Sequence, residues 1–263
     1  ARMSRSLTDR KKDREGNRKR MEAIKERVSS YWTKRSADFA KLREEELESS
    51  LAKLWLSEIE PQLPEGEDLR ILDVGTGSGF FAVLLAKKGY RLTGIDLTPA
   101  MIEEATKLAA ENQTGVDFRV MDAENLEFAD GWFDVVISRN LTWTLPHPKR
   151  AYQEWLRVLK DGGVLLNFDA DYGVERFAAE DSLPKNHAHR QISCSQLEEC
   201  DAIKDALAIS KERRPAWDVK TLTDLGCIQV ETDEGVSGRI YQKESPFYNP
   251  TPLFRIRAVK SSL

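Results

Sequence analysis

Cysteine and histidine are both scarce, at three residues each in 263. Cys194, Cys200 and Cys227 are too far apart for a C-x-x-C metal knuckle, and an odd number leaves one without a disulfide partner. They read as structural thiols in a reducing compartment. His187 and His189 precede Cys194, but His-x-His followed by a lone cysteine is not a recurrent zinc spacing, so no metal is expected. No apolar run reaches the length of a membrane span, and no charged-then-apolar leader opens the sequence, so a cytoplasmic protein with no membrane partner is the expectation. No tyrosine is followed four residues later by lysine, and no N-P-P-Y or D-P-P-Y run occurs. The first absence counts against a short-chain dehydrogenase, the second against an amino-methylating nucleic-acid enzyme.

What is present is a stretch that organises the rest. Residues 71–86 read as a short buried strand, a turn with glycines at 75, 77 and 79, and an apolar helix. Such a turn lets backbone approach a ligand that any side chain would push away. Asp73 ends the first strand. Asp96 ends the second, 21 positions after Gly75, where an acid accepts hydrogen bonds from ribose hydroxyls at the carboxyl ends of a parallel sheet. A nicotinamide register through Gly77, Gly79 and Ala82 competes, without its catalytic tyrosine–lysine pair.

In order and spacing, Asp73-x-Gly75-x-Gly77-x-Gly79, Asp96-Leu97-Thr98-Pro99-x-Met101, Asp122-Ala123-Glu124 and Phe133-Asp134-Val135-Val136-Ile137-Ser138 resemble the class I S-adenosylmethionine-dependent methyltransferases. The resemblance covers roughly residues 69–170. It implies an α/β, Rossmann-like seven-stranded sheet with N-terminal helices and a helical lid inserted after strand five. It implies S-adenosyl-L-methionine as cofactor, with Asp73, Gly75, Thr76, Gly77, Gly79, Asp96, Leu97, Met101, Asp122, Ala123, Ser138 and Arg139 around it. By the same resemblance the glycine loop meets the methionine part, Asp96 the ribose, and Asp122-Ala123 the adenine.

At 32% charged and 40% hydrophobic residues, the composition is that of an ordinary globular chain with one sizeable core. Net charge is −4, yet residues 1–30 hold eleven Lys and Arg against five acids, so the arm carries +6 and the rest −10. Residues 1–20 read as a basic, flexible arm. Residues 21–64 read as a helical cap in two pieces, with Ile24, Val28, Tyr31 and Trp32 on one face and Phe39, Leu42, Leu47, Leu51, Leu54 and Leu56 continuing the stripe. Pro61, Pro64 and Gly66 end it. Residues 65–263 then form the core, with further strands at 116–121, 133–138 and 163–168, a Lys160–Gly163 turn, helices at 99–110, 147–159 and 217–225, and a closing antiparallel pair at 228–231 and 254–259. The lid occupies about 172–215, with a helix at 195–210.

A sulfonium methyl is already electrophilic, so alignment of a nucleophile and exclusion of water carry the chemistry, and no catalytic side chain is obligatory. Candidates for a base or orienting group are Asn140, Asp169, His187 and His189, with Asn167 and Asp171 sharing Asp169's face of the strand end. Tyr31, Asn140 and Trp143 are candidates for contact with the acceptor. Tyr31 and Trp32 read equally well as packing between helices, and Arg35 and Arg139 as partners of nearby acids. The expected function is methyl transfer to a small-molecule acceptor. Two other readings stand beside it: an RNA or protein methyltransferase guided by the basic arm, less favoured because the arm's charges are mixed and nucleic acid is an unlikely partner, and a binding protein that holds the cofactor without turnover.

Overall fold

A computed structural model describes residues 7–174, 176–177, 192–241, 245–247 and 250–262. Largely apolar runs form the central strands, because strands buried on both faces leave no position for alternation. Ile71, Leu72 and Val74 of β1 (Arg70–Val74) and Val135, Val136 and Ile137 of β4 (Phe133–Arg139) have no solvent exposure. With β2 (Arg91–Asp96), β3 (Val116–Val120), β5 (Leu159–Ala170), β6 (Cys227–Asp233) and β7 (Leu253–Lys260) they make a seven-stranded sheet in the order β3-β2-β1-β4-β5-β7-β6. The first five strands run parallel; β7 lies antiparallel between β5 and β6. Strand order reverses between β1 and β4, which opens a crevice beyond their carboxyl ends.

Helices α3 (Phe80–Ala86), α4 (Pro99–Glu111), α5 (Pro148–Val158) and α7 (Ala216–Asp224) connect or flank the strands, and α8 (Val236–Ile240) precedes β7. Proline opens both α4 and α5, where its missing N–H costs nothing. The expected turn at Lys160–Gly163 is instead a bulge inside β5. Phe133 pairs with Leu159 and Val135 with Val164, so β4 advances two residues while β5 advances five.

The N-terminal segment is α1 (Leu7–Glu48) followed by α2 (Leu51–Ile59). Residues 7–20 fall within α1. The break falls at Ser49-Ser50, where the Ser49 hydroxyl accepts the Leu51 N–H at 3.1 Å. On α2, Trp55 is fully buried with its ring edge-on to Phe81 and Phe168. That side chain anchors α2 against the sheet; truncation to alanine would cost roughly 3–5 kcal/mol.

After β5, a short 3-10 turn (Tyr172–Val174), helix α6 (Cys194–Ala206) and a second 3-10 turn (Ala208–Lys211) are described. Helix α6 opens with a reciprocal cap between Ser193 and Gln196. His187 and His189 lie outside the described residues.

Candidate functional site

The glycine loop is held from below. Thr76 N–H donates to Ile95 O at 2.8 Å, Gly77 N–H to Asp96 Oδ2 at 3.0 Å, and Thr98 N–H to Asp96 Oδ1 at 2.9 Å. Gly75 has φ +68°, and a Cβ there would sit 2.8 Å from the Leu141 methyls. Only glycine takes that backbone without strain. Asp73 accepts the Thr76 hydroxyl at 2.6 Å, and burial pushes its carboxyl up to about 7 despite that bond. Burial also raises Asp96, opposed by the N–H groups of Thr98 and Gly77.

Above the loop lies a cavity of about 250 Å³, floored by the ends of β1, β2 and β4 and roofed by α1. At one end, Lys25 of α1 reaches Asp122 Oδ2 at 2.7 Å and Glu124 Oε2 at 2.5 Å. Desolvation opposes the charge on Lys25, but these carboxylates hold its ammonium above the ordinary lysine value. Glu124 also accepts the His147 N–H at 2.6 Å, so His147 serves as a helix entry.

At the other end Glu46 of α1 is fully buried. It accepts from Arg139 at 3.1 Å, from Trp55 Nε1 at 2.9 Å and from Arg43. Burial alone would raise this carboxyl; Arg139 and Arg43 outweigh it and lower it. Arg139 also donates to the Tyr241 hydroxyl at 2.7 Å and lies 4.5 Å from the Trp55 ring centre.

The side facing α6 is aromatic. Tyr31 and Trp32 of α1, Trp143, Tyr172 and Phe177 line it with Cys200 and Leu197. Asn140 sits at the mouth of β4 with φ +54°, held by its N–H to Phe168 O at 2.8 Å and by the Tyr172 hydroxyl on its Oδ1 at 2.9 Å. A non-glycine residue in that conformation is strained, and such strain clusters at binding sites.

Of the residues expected from sequence, Asp73, Gly75, Thr76, Gly77, Asp96, Leu97, Met101, Asp122, Ala123, Arg139, Tyr31, Asn140 and Trp143 all line this one cavity. Three do not. Gly79 is the cap of α3, with φ +89°. Ser138 donates its hydroxyl to Val74 O at 2.8 Å and ties β4 to β1. Asp169 is corrected most clearly: it has no exposure, pairs with Arg214 at 2.7 Å and accepts the Trp143 N–H at 3.1 Å. Its carboxylate orders the loop that carries Trp143 and is not offered to the cavity. Asn167 is likewise occupied, donating to the Thr142 and Tyr152 hydroxyls.

Sequence reasoning passed over Lys25, Arg43, Glu46 and Tyr241. A signal existed for one of them: Glu46 continues the Phe39–Leu42 stripe at helical spacing, and an acid on an apolar face asks for a buried partner.

Residues 72–167 match the model of the methyltransferase domain family. That match runs from β1 to β5 and takes in the glycine loop, so this part of the chain is similar to a methyltransferase domain. Among curated proteins, 2-methyl-6-phytyl-1,4-hydroquinone methyltransferase of a Synechocystis strain is 41% identical over 108 residues, covering 41% of this chain and 33% of that protein. Ubiquinone biosynthesis O-methyltransferase of Xanthomonas oryzae is 35% identical over 98 residues, covering 37% and 41%. The matched stretch therefore spans between a third and about two-fifths of these relatives' length. A solved Methanococcus maripaludis structure described as a putative S-adenosylmethionine-dependent methyltransferase shares the fold, with a TM-score of 0.56, 17% identity and coverage of 85% of this chain and 93% of that one.

Proposed function

We propose that this protein transfers the methyl group of S-adenosylmethionine to a small-molecule acceptor held between α1, the Asn140–Trp143 loop and α6. The observation that carries the proposal is the single cavity joining the glycine loop, Asp96 and Asp122 to an aromatic compartment roofed by the same helix.

The residues present fit the cofactor. Arg43 and Arg139 share one carboxylate, Glu46, and Arg43 Nε is buried without a hydrogen-bond partner among the described residues. One positive charge is thus left over, and it suits the methionine carboxylate. Asp96 would accept the ribose hydroxyls, and Asp122 with the backbone of Ala123 would meet the adenine. The cofactor, when bound, supplies an electrophilic methyl; the protein's part is to place the acceptor in line with it. Asn140, whose Oδ1 is fixed by Tyr172, presents its amide N–H donors to a polar atom of the acceptor. Trp143, Tyr31 and Trp32 exclude water.

No helix among the described residues is long and apolar enough to cross a membrane. The unpaired thiols Cys200 and Cys227, both buried, suit a cytoplasmic setting. The relatives named for 2-methyl-6-phytyl-1,4-hydroquinone and for ubiquinone biosynthesis support a small acceptor. Titration calorimetry with S-adenosylmethionine and S-adenosylhomocysteine tests the cofactor, with micromolar binding expected. Methyl-labelled cofactor offered with a panel of phenols, amines and thiols tests the transfer. Absence of binding to either nucleoside would remove the proposal.

A further inference from the structure

We propose that the acceptor carries an anionic oxyacid group, a carboxylate or a phosphate, and that Arg35 receives it. The inference rests on the functional reading above and narrows its substrate class.

Arg35 is 8% exposed and lines the cavity. A guanidinium that deep is almost always paired with an acid, because removing a charge from water is costly unless a counter-charge replaces the solvent. Arg35 forms no ion pair among the described residues. Its Nη1 donates to the Tyr31 hydroxyl at 3.1 Å, and its guanidinium carbon lies 5.9 Å and 5.8 Å from the ring centres of Tyr31 and Trp32. Tyr31 cannot serve as the anion, since burial pushes its phenol up to about 12. The rings stabilise the positive charge without neutralising it.

Each of the other cations of the cavity has a carboxylate beside it. Lys25 has Asp122 and Glu124, while Arg43 and Arg139 have Glu46 and stand at the end assigned to the cofactor's carboxylate. Arg35 belongs to the aromatic side that faces α6. Tyr31 and Trp32, one turn before it, border a small recess with Trp143, Cys200 and Ile203. A planar fork with unused N–H donors beside aromatic walls suits an aromatic or apolar body bearing a carboxylate or phosphate.

The test uses the full chain and three probes of similar body: 4-hydroxybenzoate, 4-hydroxyphenyl phosphate and uncharged 4-hydroxybenzyl alcohol. Binding is followed by quenching of tryptophan fluorescence, with and without saturating S-adenosylhomocysteine. At least one anion should bind ten-fold or more tightly than the alcohol, and which one does so separates carboxylate from phosphate. Arg35→Met should abolish the preference while leaving affinity for S-adenosylhomocysteine within about two-fold. Arg35→Lys, which keeps the charge, should retain a reduced preference and guards against a folding defect.

Equal binding of all three probes, or of none, overturns the proposal. So does a preference that survives Arg35→Met. Loss of S-adenosylhomocysteine from Arg35→Met would show that Arg35 holds the cofactor, which also overturns it. Failure of the wild-type protein to bind S-adenosylhomocysteine would sink the functional reading instead. The probe preference measured without nucleoside still decides the role of Arg35.

Discussion

Glu46 and Arg139 lie 93 residues apart in the chain, yet their side chains meet at 3.1 Å with Glu46 fully buried and Arg139 nearly so. This contact joins the helical cap to the end of β4, the strand beside the glycine loop. Replacing Glu46 by glutamine leaves two guanidinium groups without their anion in a place water scarcely reaches. The expected loss is on the order of 3–5 kcal/mol. Urea denaturation of Glu46→Gln beside the wild type measures it, and a change below about 1 kcal/mol would mean the pair is not structural.

Asp96 binds two loop N–H groups and borders the cavity. Asp96→Ala should weaken S-adenosylhomocysteine binding by roughly ten- to a hundred-fold, the range for losing hydrogen bonds to a charged group. Asp96→Asn should lose less, since one oxygen still accepts. Calorimetry on both variants checks this order, and unaltered affinity in the alanine variant would contradict the site.

The buried carboxyl of Asp73 gives a pH dependence with a definite sign. Its value is raised from an ordinary 3.8 to about 7, so the folded protein binds a proton that the unfolded chain has released. The resulting stabilisation is complete below pH 3.8 and is lost as pH rises through 7, amounting to roughly 4 kcal/mol at most. Asp73→Asn removes this dependence. The melting temperature of Asp73→Asn relative to wild type should therefore climb between pH 4 and pH 8, and a constant gap would refute the assignment.

Near the start of α1, Arg18 pairs with Glu15 and Glu22 of the same helix. Deleting residues 1–18 should leave nucleoside affinity and transfer unchanged, while deleting 1–30 removes Lys25 from Asp122 and Glu124 and should weaken adenosyl binding at least ten-fold. If deletion of 1–18 abolishes transfer, or the intact protein binds RNA in a steeply salt-dependent way, the small-molecule reading gives way to the RNA one.

The sheet and glycine loop were legible because their physics is local. Ile71–Val74 and Val135–Ile137 are apolar runs that fit only a strand covered on both faces, and glycines at 75 and 77 mark a backbone other residues resist. The Lys160–Gly163 bulge was less visible, since a glycine pair signals a turn without saying whether the strand resumes its pairing across it. Long-range charge matching was not legible. Nothing in the sequence around Asp169 announces Arg214, 45 residues later, and nothing around Arg139 announces Glu46. Such pairs have no period, so an acid at a strand end reads the same whether it faces a ligand or a buried guanidinium.

Helix α1 touches Asp122 through Lys25, the aromatic compartment through Tyr31 and Arg35, and Arg139 through Glu46. One stiff rod thus borders the Asp122 end, the aromatic side and the Glu46 end of the one cavity. On the proposed reading donor and acceptor would both rest against that rod, and any coupling it carried between their affinities would be reciprocal.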